Sequence, residues 1–213
     1  MRYERKYRVE DCSTAEVLQI IRNHRSSFTK AYPDRHINSL YLDTYDFNYF
    51  KDNISGISNR TKQRIRWYGD DLKNIVNPIL EIKLKENELG SKQYVRLPNF
   101  KIDRFFSYEG YLKQHLWLAT NHITPTVMIR YLRSYYKSWD KQVRLTIDQQ
   151  IRYYPVDHRL NFNITPYRDS AIILELKYKL NPDNNRNIDY ITQDFPFRLT
   201  RNSKYINALQ MCY

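Results

Sequence analysis

Apolar and polar residues alternate with period two along most of the chain. In residues 2–9, Arg2, Glu4, Lys6 and Arg8 share one face, and Tyr3, Tyr7 and Val9 the other. This period is that of a half-buried strand. Residues 37–43, 60–69, 79–85, 92–97, 126–136, 141–148 and 172–179 are predicted as strands in the same way. Turn signals separate them: SGISN over 55–59, ENELGSK before residues 92–97, and the polar loop NPDNNRN over 181–187. Helical signals are fewer. Ser13-Thr-Ala-Glu16 is a capping box, and Val17, Leu18, Ile20 and Ile21 form an apolar stripe behind it. Asp46–Asp52 predicts a short helix. Asp103–Ala119 predicts a longer one, with Phe105, Phe106, Tyr108, Leu112 and Leu116 near its buried side. Asn202-Ser203 caps a short C-terminal helix. With no low-complexity tract or linker, residues 1–213 are expected to form one α+β domain built on antiparallel strands.

Charge changes the picture. Arg60, Lys62, Arg64 and Arg66 are successive residues of one strand face, about 7 Å apart along it. Lys83 and Lys85, Arg144, and Lys177 and Lys179 recur on the polar faces of other strands. An ordinary solvated sheet face alternates in the same way, but it mixes in far more neutral residues. Like charges at this spacing repel unless an anion lies among them. Helices with apolar stripes could coat the outside of a closed barrel, turning the cationic faces inward. The net charge of +12 agrees with an anionic partner. The acids on these faces, Glu4, Glu81, Asp148 and Glu175, either pair with neighbouring cations or hold a hard divalent cation beside phosphates.

Other classes are set aside on composition. Cys12 and Cys212 have no metal-ligand spacing and are expected to be reduced thiols. The N-terminus lacks an apolar signal region, and no run approaches the ~18 apolar residues of a membrane span. The expected location is the cytoplasm. His24, His36, His115, His122 and His158 form no ligand or triad spacing and receive no catalytic role. Trp67 and Tyr68 are expected at outer core and rim.

Together these residues resemble a known family. YERKY (3–7), SLYLDTYDFNYF (39–50), NRTKQRIRWYG (59–69), LEIKLK (80–85), IRY (129–131), VRLTID (143–148), LELKYK (174–179) and RNSKY (201–205) are similar, in order, to the VTC domain. That is the polyphosphate-polymerase domain of the vacuolar transporter chaperone, in the triphosphate tunnel metalloenzyme superfamily. The resemblance implies an eight-stranded antiparallel β-barrel tunnel with helices outside, binding triphosphate or polyphosphate with Mg²⁺ or Mn²⁺. It implies phosphate contacts from Lys6, Arg64, Arg66, Lys83, Arg130, Arg144 and Lys204, with Ser203 beside the last and Glu175 on the metal. Arg2 stands where the superfamily's first strand begins with Glu, which removes one carboxylate and favours the polymerase-like branch.

The expected activity is metal-dependent phosphoanhydride chemistry, foremost polyphosphate synthesis from ATP. Arg64, Arg66, Lys83, Arg130 and Arg144 would neutralise the transferred phosphoryl group. Lys6, Arg60, Lys62, Lys85, Lys177, Ser203 and Lys204 would bind substrate, and Glu175 with Glu4 would hold the metal. Water as the attacking group would make the same site a triphosphatase or polyphosphatase. A polyphosphate-binding module without turnover is the competing class. Nucleic acid is disfavoured because the cations lie on single strand faces backed by apolar ones. With no membrane segment of its own, coupling to transport would require a membrane-protein partner.

Overall fold

The computed structural model describes residues 2–87, 89–102, 123–156, 165–179 and 194–213. The strands are β1 (Arg2–Val9), β2 (Thr29–Thr44), β3 (Arg60–Tyr68), β4 (Asn74–Ile75), β5 (Ile79–Glu86) and β6 (Leu89–Arg96). They continue with β7 (Phe100–Lys101), β8 (Ile123–Lys137), β9 (Arg144–Pro155), β10 (Tyr167–Asp169) and β11 (Ile172–Lys179). Among the described residues the helices are α1 (Thr14–Asn23), α2 (Asn48–Ser55) and α3 (Lys204–Cys212). The helix expected over 103–119 and the loop over 181–187 lie outside the described residues. The sheet runs β1-β11-β9-β8-β2-β3-β5-β6, with β10 beside β9. The pairs β1/β11, β11/β9, β2/β3, β3/β5 and β5/β6 are antiparallel.

The chain divides into two compact units. One holds Met1–Arg35, Tyr131–Ile151 and Asp169–Asn202; the other holds His36–Arg130, Arg152–Arg168 and Ser203–Tyr213. The strands β2, β8 and β9 contribute residues to both. Each unit has its own apolar core, made by the apolar faces that the alternation marks. In the first, Tyr7, Val9, Leu145, Ile147, Leu174 and Leu176 meet Val17 and Ile21 of α1. In the second, Leu40, Leu42, Ile65, Trp67, Leu80 and Ile82 pack with Met128 and Tyr154. Trp67 is thus fully in the core, while Tyr68 is exposed.

Local chemistry sets the helix positions. The capping box of α1 forms as the sequence predicts, with Ser13 and Glu16 exchanging hydrogen bonds. The second helix starts two residues later than the sequence suggests, and its first turn is capped from the end of β2. Asp43, fully buried on β2, accepts from the backbone N–H groups of Thr44 (2.7 Å), Tyr49 (2.9 Å) and Phe50 (3.0 Å). It also accepts from the Tyr205 hydroxyl of α3. One carboxylate therefore fastens α2 and α3 to β2. On β9, Gln150 has φ +54°. Leu145 and Ile147 belong to the first core and Tyr154 to the second, while Ile151 and Tyr153 keep the buried parity of Leu145 and Ile147 beyond Gln150.

Removing the Asp43 carboxylate leaves two helix-start N–H groups and a tyrosine hydroxyl without their acceptor. Asp43→Ala is expected to cost about 3 kcal/mol in urea unfolding. Tyr205→Phe, which leaves the backbone caps intact, is expected to cost about 1 kcal/mol.

Candidate functional site

In the first unit, antiparallel register sets charges opposite one another. Glu4 faces Lys177, and Lys6 faces Glu175. Glu175 faces Thr146, and Lys177 faces Arg144. The Lys177 ammonium pairs with Glu175 and lies 3.5 Å from Glu4 Oε2. Lys6 pairs with Glu4 Oε1 at 2.8 Å and donates to the Asn202 carbonyl at 3.2 Å. Burial alone would raise the Glu175 carboxyl. Lys177, helped by Lys6 and Arg133, outweighs burial and the opposing Glu4, so its pKa is lowered from the ordinary 4.5. The Thr146 hydroxyl opposite it is buried with no hydrogen-bond partner.

Arg133 of β8 belongs to the same cluster. Its guanidinium grips fully buried Asp148 with two bonds, Nε to Oδ1 at 2.5 Å and Nη2 to Oδ2 at 2.6 Å. Burial disfavours the Arg133 charge; Asp148 reverses that, with Glu175 contributing, and the pKa rises. A cavity of about 610 Å³ opens beside this cluster, lined by Arg144, Thr146, Glu175 and Lys177 together with residues of β2 and β8.

The second unit presents the cation block of β3. Arg60 faces Lys85, Lys62 faces Lys83, and Arg64 faces Glu81. On the far side of β5, Lys83 also faces Lys92. Two arginines share one acid here. Arg64 donates to Glu81 Oε2 from Nε (2.8 Å) and Nη2 (2.6 Å), while Arg66 Nη1 lies 3.0 Å from Oε1. Arg66 Nε and the hydroxyl of Ser39, directly opposite it on β2, are buried without hydrogen-bond partners. Arg64 Nη1 also donates to the Tyr41 hydroxyl at 2.9 Å. The Tyr41 ring stacks on Tyr205, with centroids 4.8 Å apart. Burial would raise the Tyr41 phenol, yet Arg64, Arg66 and Lys204 pull its pKa below the ordinary 10.0. That net lowering reports a strongly positive local potential.

Ser203 stands at the N-cap of α3, but its side chain makes no capping bond. Its hydroxyl instead accepts from Lys62 Nζ at 2.9 Å. The structure thus gathers Lys62, Arg64, Arg66, Ser203 and Lys204 in the second unit. In the first it gathers Glu4, Lys6, Arg144, Glu175 and Lys177. Arg60 is turned toward the turn backbone, donating to the Ile57 carbonyl at 3.1 Å.

Arg130 has a different setting. Its Nη2 bonds Asp70 Oδ1 at 2.6 Å, and its Nη1 the Asp70 carbonyl at 3.0 Å. Nη1 also lies 3.4 Å from the Asn38 Oδ1. Asp70 in turn bonds His36 Nδ1 at 2.5 Å. Arg130 has the parity of Met128, a core residue, whereas Arg133 lies with its guanidinium 5.3 Å from the ring of Tyr131. The segment IRYLR puts these two arginines on opposite strand faces. Its neighbours are apolar on both sides, so the sequence pattern does not say which arginine faces the charges. Ser39, Tyr41, Thr146 and Arg133 were missed for that reason or because they carry no charge. Glu81 and Asp148 stand out as acids on cationic faces.

The residues present fit a divalent cation. Glu4 and Glu175 both reach the single Lys177 ammonium, so a small cation can be placed between them. Mg²⁺ characteristically takes only one or two carboxylates and completes its shell with water and phosphate oxygens. No cluster of three His, Cys, Asp or Glu side chains occurs among the described residues.

Solved structures share this fold. A Hippeastrum protein described as a candidate adenylyl cyclase with a dominant triphosphatase activity is 13% identical (TM-score 0.56; 100% of this chain, 97% of that one). A candidate adenylate cyclase from Bacillus halodurans is 12% identical, with TM-score 0.59, over 97% of this chain and 96% of its own. One from Vibrio parahaemolyticus is 10% identical, with TM-score 0.55, over 98% and 97%. No curated protein is significantly similar in sequence. The strand order and these likenesses define a class of antiparallel fold that the chain shares with these structures. Within that class the chain belongs to the VTC domain family, whose model matches residues 1–213. No helix among the described residues is long and apolar enough to cross a membrane.

The lowered Glu175 pKa has a pH signature. A carboxyl depressed on folding adds stability above its unfolded value, and that stability is lost as pH falls through the folded value. Parent protein is expected to exceed Glu175→Gln in urea midpoint at pH 7, and the gap is expected to close below pH 4.5. Unfolding curves of both proteins at pH 7, 5 and 3 measure it.

Proposed function

We propose that this protein binds a triphosphate or polyphosphate through the cationic strand faces and carries out metal-dependent phosphoanhydride chemistry, foremost polyphosphate synthesis from ATP. The observation that carries this reading is the direct opposition of like charges. Lys62 faces Lys83, Arg60 faces Lys85, and Lys177 faces Arg144. Such cross-strand pairs are destabilising by themselves. An anionic chain between them turns repulsion into attraction. The unpartnered Arg66 Nε and Ser39 hydroxyl support the same reading, because buried donors of this kind call for an acceptor.

The roles follow from the contacts. Arg64 and Arg66 are held in place by Glu81, and the unpartnered Arg66 Nε is offered to a phosphate oxygen. Lys62 and Ser203 hold one another at the start of α3, beside Lys204. Lys83 and Lys85 extend the cationic face along β5. On β8 we assign Arg133 to the phosphates, since it shares a cluster with Glu175, and give Arg130 a structural role with Asp70. Glu4 and Glu175 are the carboxylates assigned to Mn²⁺ or Mg²⁺. A divalent ion there would neutralise phosphate charge and fix the geometry for in-line attack. Lys6 and Lys177 pair with those carboxylates and hold them in place.

No side chain in either cluster is needed as a nucleophile, because positioning and charge neutralisation carry phosphoryl transfer. Attack by a terminal phosphate extends a polymer; attack by water hydrolyses. The activity described for the Hippeastrum neighbour favours hydrolysis as the second reading.

Tripolyphosphate at a hundredfold excess over its Kd is expected to stabilise by ~2.7 kcal/mol, raising Tm by several degrees. Sulfate at matched ionic strength is expected to do much less, and equal shifts would mean simple screening. Arg66→Ala is expected to weaken tripolyphosphate by roughly tenfold or more, a loss of about 1.4 kcal/mol. Glu175→Gln is expected to retain tripolyphosphate but lose turnover of ATP with Mn²⁺. Gel analysis of that reaction separates polymer from free phosphate.

A further inference from the structure

The cavity of the first unit is walled by more than charge. Tyr32 of β2 and Tyr135 of β8 line it, with Arg35 and Lys137 beside them. The two rings meet edge-on, with centroids 5.9 Å apart and planes at 88°. Arg35 donates from Nε to the Tyr135 hydroxyl at 2.9 Å, and its guanidinium carbon lies 5.0 Å from that ring. Lys137 Nζ lies 5.1 Å from the Tyr32 ring. Neither tyrosine belongs to the unit's apolar core. Tyr32 is 54% exposed, so part of the residue's surface is open to a ligand.

Core packing therefore does not account for these two aromatics. Their position does suggest a use. The same cavity is lined by Arg144, Glu175 and Lys177, the charged residues assigned above to phosphates and metal. We propose that Tyr32 and Tyr135 form an aromatic subsite, which holds the base of a nucleoside triphosphate whose phosphates reach toward Arg144 and Lys177. The inference rests on the triphosphate reading and narrows it. Inorganic polyphosphate has no surface that profits from an aromatic wall, whereas a base has a π-face that stacks on one. A volume of about 610 Å³ suits one small molecule better than a running nucleic-acid strand. Arg35 and Lys137 add donors and positive charge where the sugar and first phosphate would enter.

The test compares two probes, ATP and tripolyphosphate, by calorimetric titration of the full chain. In the parent protein ATP is expected to gain from the base. Tyr32→Ala is expected to weaken ATP by roughly 5- to 150-fold, the range of base–aromatic stacking, and tripolyphosphate by less than about twofold. Tyr32→Phe is expected to restore ATP. Tyr32→Leu, which keeps apolar bulk without a π-face, is expected to behave like Tyr32→Ala and guards against a folding defect. Equal weakening of both probes, or of neither, overturns the aromatic subsite while leaving triphosphate binding standing. Absence of tripolyphosphate binding in the parent protein overturns the triphosphate reading, and the subsite falls with it.

Discussion

Cations directly opposite cations on neighbouring strands constrain much of this protein. Side chains at such positions are only about 5 Å apart at Cβ, and repulsion there opposes the pairing of the strands. The apolar faces supply the opposing force. Ile65 and Trp67 on β3, or Leu145 and Ile147 on β9, are buried behind the same strands that carry the cations. A small number of acids then limits the strain. Glu81 serves two arginines, Glu175 and Glu4 serve Lys177 and Lys6, and Asp148 serves Arg133. The acids are too few to neutralise the faces, and the remaining positive potential is enough to lower the phenol of buried Tyr41.

Acids and cations of this kind can be useful only if held still. The second unit does this through Asp43, which is remote in sequence from Tyr205. By capping α2 and accepting from Tyr205, it ties α3 to β2. Tyr205 then stacks on Tyr41, and Tyr41 accepts from Arg64. The start of α3 places Ser203 against Lys62. A buried carboxylate with several charge-assisted hydrogen bonds is expensive to disrupt, so this arrangement makes the cationic face rigid without adding charge to it.

The first unit shows the complementary solution. Its acids lie within the charged cluster and are paired with lysines. Glu4 and Glu175 converge on Lys177, which occupies the position that a divalent cation would compete for. Lys6 and Lys177 thus balance the carboxylates, and the hydroxyl of Thr146 remains without a partner. The aromatic wall of Tyr32 and Tyr135 lies in the same unit, on segments of β2 and β8 outside its apolar core.

Much of the fold was legible because a strand with one buried face must alternate, and the chain does so. That period locates β1, β3, β5, β11 and the first part of β9, and the capping box locates the start of α1. The period does not locate the first half of β2, since TKAYPDRH is polar on both faces and contains proline. The grouping of Lys62, Arg64 and Arg66 was also legible, because residues two apart on one strand share a face whatever surrounds them. Sequence by itself therefore determined which residues within a strand share a face and that positive charge is in excess there. Tertiary structure decided what no local period encodes: that Arg133 joins Glu175 while Arg130 bonds Asp70, and that the Ser203 hydroxyl meets Lys62 in place of capping its helix. These choices depend on pairing between segments far apart in the chain, where register and face are set by burial on both sides of the sheet.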